Sequence, residues 1–241
     1  MIVLFSDYGM KGPYTAQLCS AVYQHYPRAR TLTLLNDVPS WNVKAAAFLL
    51  AAYRYDMPQH AVFLCVVDPG VGTARRAVVV NADDQWFVGP DNGLFSVVIK
   101  RAACVRAWSI NFRPARLSAT FHGRDLFAPV AAIIERDGSV PGDEIDPKSL
   151  NDPGYPSELY EVIYFDSFGN ALTGLRASML DPSAVFCCGD NHVEHARTYG
   201  DTSIGAVFWY ENANGLIEFA VNQGSAETTL GLRIGDRIAL I

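Results

Sequence analysis

Apolar residues follow two different rhythms along this chain. Up to about residue 136, short apolar runs alternate with longer stretches whose apolar positions recur every three or four residues. Beyond about residue 160, short runs succeed one another with glycines and Asn/Asp turns between them. The first rhythm predicts strands at 2–5, 31–35 and 61–67 and helices at 13–26 and 41–54. Tyr14, Leu18, Ala21 and Val22 form one stripe of the first helix, and Gly12-Pro13 suits its start. Ser40 is the expected cap of the second helix, and Pro58 closes it. The run 61–67 is continuously apolar, as in strands covered on both faces. This alternation implies a parallel sheet with helices on its faces. Further strands are expected near 77–80, 86–88 and 104–107, and helices near 94–101 and 125–136. Pro129 falls early in the last of these, where a missing N–H costs little.

Composition changes after Glu135. From Glu135 to Glu158, both included, stand four prolines, three glycines and seven acidic residues, the mark of a linker or a long surface connection. The second rhythm predicts strands at 160–165, 185–187, 206–210, 216–221 and 237–241. The expected architecture is therefore α/β. A mostly parallel, helix-flanked N-terminal domain (1–146) leads through a linker (147–158) to a small antiparallel, β-barrel-like C-terminal domain (159–241).

Bulk properties narrow the function classes. Half of the 241 residues are apolar and 18% are charged, so a sizeable core is available. A net charge of −6 argues against nucleic acid or an anionic membrane as the main partner. The longest strongly apolar stretch, 45–53, is far short of the ~20 residues of a membrane span. The chain opens on an apolar run with no basic leader, which reads as a strand rather than a signal peptide. The five cysteines, Cys19, Cys65, Cys104, Cys187 and Cys188, form no CxxC and lie mostly in apolar runs, as buried hydrophobes in a reducing compartment do.

Ligands of open parallel sheets bind beyond the carboxyl ends of the strands. Here those ends carry Ser6-Asp7-Tyr8-Gly9, Asn36-Asp37 and Asp68-Pro69-Gly70-Val71-Gly72-Thr73. Three aspartates on one rim are either turn and capping residues or a site. No GxGxxG follows the first strand and no GxxxxGK[ST] occurs, so a nucleotide held by its phosphates is not expected. A strand-end carboxylate instead suits the two hydroxyls of a ribose. His122 stands in a loop, as solvent-facing and structural histidines also do. His192 and His195 have the spacing of a metal pair but no suitable third ligand nearby, and a metal is not expected. No GxSxG elbow and no HExxH is present.

Six segments together resemble the S-adenosylmethionine hydroxide adenosyltransferase family, the adenosine-forming S-adenosylmethionine hydrolases related to bacterial fluorinase and chlorinase. They are Ser6-Asp7-Tyr8-Gly9, the run from Val67 to Arg75, Gly89-Pro90-Asp91-Asn92-Gly93-Leu94, Phe121-His122-Gly123-Arg124-Asp125, Asp166 with Phe168-Gly169-Asn170, and the run from Ala220 to Ala226. They occur in the family's order from residue 2 to the C-terminus. The resemblance implies a homotrimer whose sites lie between subunits, with S-adenosylmethionine as substrate and no cofactor or metal, and a cytoplasmic location is expected. Water would attack the ribose 5′ carbon and release adenosine and L-methionine.

The family's catalytic set falls on Asp68, Arg75 and His122. The resemblance places Asp7 on the ribose hydroxyls with Tyr8 beside it, and Trp41 against the ligand. Asp166 would meet the methionine ammonium, Phe168 would stack on adenine and Asn170 would read its polar edge. Val221, Asn222 and Gln223 would complete the adenine pocket. Ordinary core packing is the competing reading for Trp41 and Phe168. One departure stands out: Ala213-Asn214 occupies a stretch where the family often has a serine that helps hold the methionine carboxylate. Two rival functions follow, a halide-dependent adenosyltransferase and a non-catalytic S-adenosylmethionine or adenosine binder.

Overall fold

A computed structural model describes residues 1–189 and 191–241. The chain divides into two compact units, Met1–Tyr155 and Pro156–Ile241.

The first unit runs β1 (Ile2–Ser6), α1 (Tyr14–His25), β2 (Thr31–Leu35), α2 (Val43–Tyr53), β3 (Val62–Val66), β4 (Ala77–Ala82), β5 (Gln85–Pro90), α3 (Ser96–Arg101), β6 (Val105–Ile110), α4 (Ala128–Asp137) and β7 (Gly142–Ile145). Its seven strands form one sheet in the order β2-β1-β3-β5-β4-β6-β7. β2, β1, β3 and β5 run parallel, and β4, β6 and β7 add antiparallel pairings. Every residue of β1 and β3 is buried, as their unbroken apolar runs require. Alternate side chains point to opposite faces. Ile2, Leu4, Val62 and Leu64 pack in one core with Leu18 and Val22 of α1 and Val130 and Ile134 of α4. Phe63 stacks on Phe87 at 4.8 Å.

Two local expectations are corrected. Ser40 is not the cap of α2: Asn42 is, its Oδ1 accepting the Ala45 N–H at 3.0 Å, because Trp41 turns the chain with φ at 61° and delays the helix. The stretch after Glu135 is more than a connection, since β7 lies within it and pairs with β6 at the sheet edge. The expected 125–136 helix opens as one π-helical turn, Gly123–Phe127, that runs into α4. Pro129 lies in the first turn of α4.

The second unit runs β8 (Leu159–Phe165), β9 (Ala171–Arg176), β10 (Phe186–Cys188), β11 (Asn191–Val193), β12 (Val207–Glu211), β13 (Leu216–Val221), α5 (Ala226–Leu230) and β14 (Ala239–Leu240). It holds two antiparallel sheets, β12-β13-β9-β8 and β11-β10-β14. One core joins them: Phe186 meets Phe219 and Trp209 edge-on, with centroids 5.2 and 5.7 Å apart. Three elements escaped the sequence pattern. β9 is buried on both sides and lacks alternation, while β11 and α5 are short. Only Ala239–Leu240 of the expected 237–241 strand is regular, though Arg237 bridges Glu161.

All five cysteines are free. Cys65 and Cys188 are buried, but Cys104 is exposed, because it lies just before β6 rather than within it. Among the described residues no helix is long and apolar enough to cross a membrane.

Candidate active site

The strand order of unit one locates its crevice. From β1 the chain crosses to β2 on one side and then to β3 on the other, so the loops leaving β1 and β3 part and open a gap at their carboxyl ends. Asp7 follows β1 and Asp68 follows β3 by two residues, and both line a cavity of about 370 Å³ with Tyr8, Tyr14, Trp41 and His122. Asp37, at the end of the outer strand, is not among its lining residues.

Asp68 and Arg75 form a forked ion pair. Nε of Arg75 donates to Oδ1 at 2.9 Å and Nη2 to Oδ2 at 2.5 Å. Both side chains are nearly buried, at 10% and 5% exposure for Arg75 and Asp68. The tight turn between them allows this: Val71 N–H donates to the Asp68 carbonyl, and Gly72 takes φ 81° against the Ala119 carbonyl, where a Cβ would stand 2.7 Å away. Arg75 also lies over the Phe127 ring at 5.1 Å. Its Nη2 reaches Nδ1 of His122 at 3.0 Å. Burial and then the Arg75 charge hold the His122 pKa below its ordinary value. Asp68, Arg75 and His122 are thus one hydrogen-bonded group, drawn from the β3 turn and the start of the π turn.

Asp7 is placed by Trp41, whose backbone N–H donates to Oδ2 at 2.9 Å. Burial, and the nearby Asp68 charge, push the Asp7 pKa up despite that bond. The Trp41 ring is 78% exposed, so it is not core packing. Tyr8 packs with Tyr14 and Phe121, at 5.4 and 5.6 Å, and burial raises its phenol. Gly123 makes room for it, since a Cβ there would stand 2.5 Å from the Tyr8 hydroxyl. Another cavity of unit one, about 440 Å³, lies among Gln17, His25 and Arg113, but no candidate residue lines it.

The remaining candidates belong to unit two. Asp166, Phe168, Asn170, Val221 and Gln223 line a cavity of about 580 Å³ with Tyr199 and Tyr210. The Asp166 carboxylate accepts the N–H groups of Phe168 and Asn170, each at 2.9 Å, and so builds the β8–β9 turn. Gly169 completes that turn at φ 80°. Phe168 is left 77% exposed at its tip. Asn222 does not line the cavity. Its amide donates to the carbonyls of Tyr199 and Thr202, at 3.0 and 2.8 Å, and braces that loop. Ala213-Asn214 lies in a turn held by Asn212, whose Oδ1 accepts the N–H groups of Asn214 and Leu216.

Sequence reasoning missed Tyr14 in the first cavity and Tyr199, Tyr210 and the neighbouring Glu218 in the second. Glu218 did leave a signal, as the only charge inside the apolar run 216–221. Among the described residues no three His, Cys, Asp or Glu are placed to hold a metal ion. His192 pairs with Cys187 across two strands, and His195 lies 4.5 Å from the Trp209 ring.

Fold and site together define a two-unit α/β protein with a carboxylate–guanidinium–imidazole group in a switch-point crevice. The chain belongs to the SAM hydroxide adenosyltransferase family: residues 2–142 match the family's N-terminal domain and residues 160–239 its C-terminal domain. It is 37% identical to an (R)-S-adenosyl-L-methionine hydrolase of Thermus thermophilus, over 100% of this chain and 99% of that one. A protein of the same description from Salinispora tropica is 34% identical over 97% of this chain and 94% of its own. Among solved structures, an uncharacterized conserved protein from Thermotoga maritima superposes with a TM-score of 0.91 at 30% identity, covering 100% of this chain and 99% of that one. A conserved hypothetical protein from Thermus thermophilus gives 0.79 at 36% identity, with the same coverage.

Proposed function

We propose that this protein hydrolyses S-adenosyl-L-methionine to adenosine and L-methionine. The observation that carries the reading is the hydrogen-bonded group of Asp68, Arg75 and His122, of which Asp68 and His122 line the switch-point cavity. The sulfonium is already a good leaving group, so no acid is required at sulfur and no cofactor is needed for the displacement. What the protein must supply is a water in line with the C5′–S bond.

The trio suits that task. A guanidinium only donates, so Nδ1 of His122 accepts from Arg75. The neutral ring then carries its hydrogen on Nε2 and donates it to the water oxygen. Asp68 spends one lone pair of each oxygen on Arg75 and keeps others for the water's hydrogens. Held by both, the water turns a lone pair toward C5′. As the C5′–O bond forms, the C5′–S electrons go to sulfur and give neutral methionine. The surplus proton passes toward Asp68 and then to solvent. The negative charge of Asp68 also favours a cationic sulfonium and disfavours a halide nucleophile.

In the same reading Asp7 accepts the ribose hydroxyls with Tyr8 and Trp41 alongside, and Asp166 draws the methionine ammonium. Phe168 and Asn170 receive adenine, with Val221 and Gln223 framing its pocket and Asn222 bracing the Tyr199–Thr202 loop beside it. The working form is a cytoplasmic homotrimer whose sites lie between subunits.

Purified protein incubated with S-adenosyl-L-methionine, with and without chloride, tests this by mass spectrometry of the products. Equal amounts of adenosine and methionine, independent of chloride, are expected. A 5′-chloro nucleoside, S-adenosylhomocysteine, or no turnover above the uncatalysed rate overturns the reading.

A further inference from the structure

β5 lies between β3 and β4 in the sheet, parallel to the first and antiparallel to the second. β3 and β4 follow one another in the chain, yet they stand two strand spacings apart, roughly 9–10 Å. Residues 67–76, which carry Asp68 and Arg75, therefore arch over the carboxyl end of β5. With a strand between them, the feet of this arch cannot bond to each other as the strands of a hairpin do. What meets both feet is the turn that leaves β5, at Asp91 and Asn92.

Asn92 takes the first foot. Val67 is fully buried, and its carbonyl accepts Nδ2 of Asn92 at 2.9 Å, one residue before Asp68. Asp91 takes the second. Its N–H donates to the Arg76 carbonyl at 3.0 Å, and its Oδ2 accepts Nε of Arg76 at 2.8 Å. Its Oδ1 accepts the Asn151 N–H at 2.7 Å, so both carboxylate oxygens are engaged. The Arg76 carbonyl held in this way also accepts Nη1 of Arg75 at 3.3 Å. That bond is an anchor for the Arg75 guanidinium apart from Asp68 and His122, which take Nε and Nη2. Neither Asp91 nor Asn92 lines the cavity of Asp7 and Asp68, so neither reaches a ligand there.

We propose that Asp91 and Asn92 are positioning residues for the reaction: they clamp the two feet of the 67–76 arch and so fix the Asp68 carboxylate and the Arg75 guanidinium against His122. The proposal rests on the hydrolase reading of that trio. An arch tied at both ends holds its acidic and basic groups in register, whereas one released at a foot can shift. A shift of about 1 Å in a reacting group can cost on the order of 10²-fold in rate.

The test is Asn92→Asp in the full-length protein. The carboxylate still accepts the Leu94 N–H that Asn92 Oδ1 accepts at 3.2 Å, but it has no hydrogen for Val67. The expected result is a kcat lower by about 10- to 100-fold, with KM and adenosine affinity within about twofold. In an Asp68→Asn background the same substitution costs little more, because both act through one group. The His122 ring, followed by NMR and identified with His122→Asn, is a readout that needs no turnover. Burial and then Arg75 lower its pKa, while Asp68 and Asp125 each raise it by less. An Arg75 that drifts from Nδ1 lets His122 titrate higher than in wild type. A variant that melts lower but keeps the wild-type kcat and His122 titration marks the turn as merely structural and overturns the proposal, as do equal losses in kcat and affinity. Should Asn92→Asp not fold, Arg76→Gln releases the other foot at a side chain 40% exposed and is judged by the same readouts. Wild type that releases no adenosine refutes the hydrolase reading, and the His122 titration then still judges the clamp.

Discussion

Nη2 of Arg75 lies 3.0 Å from Nδ1 of His122, and the bond between them can run in one direction only. The guanidinium donates and the imidazole accepts, so the ring is neutral with its hydrogen on Nε2. Protonation of Nδ1 would break the bond and place a cation against Arg75. The catalytic rate therefore falls as pH drops through the depressed pKa of His122, below its ordinary 6.5. Between that pKa and 6.5 the unfolded chain binds more protons than the folded one, so stability also falls with pH in that window. Melting temperatures of wild type and His122→Asn from pH 7.5 to 5 measure this. Equal pH slopes for the two proteins contradict the assignment.

Asp68→Asn lowers kcat by about 10²–10⁴-fold and changes substrate affinity much less, because the proton acceptor is lost while the shape remains. Single-turnover rates set beside calorimetric affinities separate the two quantities. Equal losses in both would make Asp68 a binding group.

Arg75→Ala has a second consequence. The ion pair with Asp68 is nearly buried, and removing one partner strands the other. Breaking such a pair costs about 3–5 kcal/mol. Urea unfolding of the single variants and of the double variant Arg75→Ala with Asp68→Asn reads the effect. The double variant recovers part of the stability without recovering activity.

On the proposed reading Asp7 trades stability for binding. Burial raises its pKa in the folded state, so its contribution to stability is present at low pH and is lost as pH rises through the folded value. Asp7→Asn keeps an oxygen for the Trp41 N–H and removes the buried charge. It melts higher than wild type at pH 7 and binds adenosine about 10- to 100-fold more weakly. Unchanged affinity would remove Asp7 from the ribose.

Phe168→Ala leaves stability within about 0.5 kcal/mol, because the ring is exposed and holds nothing together. Base-on-ring stacking is worth about 1–3 kcal/mol, so adenosine affinity falls by roughly 5- to 100-fold. Calorimetry checks it against a chemical denaturation curve of the same variant.

Much of this site was legible before any coordinates. Asp7 and Asp68 were named because an apolar run ending in a carboxylate, repeated in a βαβ rhythm, places that carboxylate on the binding rim. Arg75 and His122 take their shared role from motif resemblance alone, since 47 residues separate them and no local pattern relates them. Ser40 failed as a cap because helix starts depend on one residue's φ, and Trp41 adopts a value that few sequences announce. Tyr210 and Glu218 stayed hidden because cross-strand register sets them opposite each other, and register is a property of pairing rather than of any one strand.

The order of residues along the chain thus settled what is local. It determined which runs bury both faces, where helices alternate with strands, and which chemistry sits at each strand end, because backbone periodicity and solvation act over a few residues. Folding decided what is relational. It joined Arg75 to His122, turned the Asn170 amide onto the Asp166 carboxylate, left Trp41 and Phe168 in the open, and sent Asn222 to brace a loop. These outcomes depend on distances between segments far apart in sequence, and only the packed chain sets those distances.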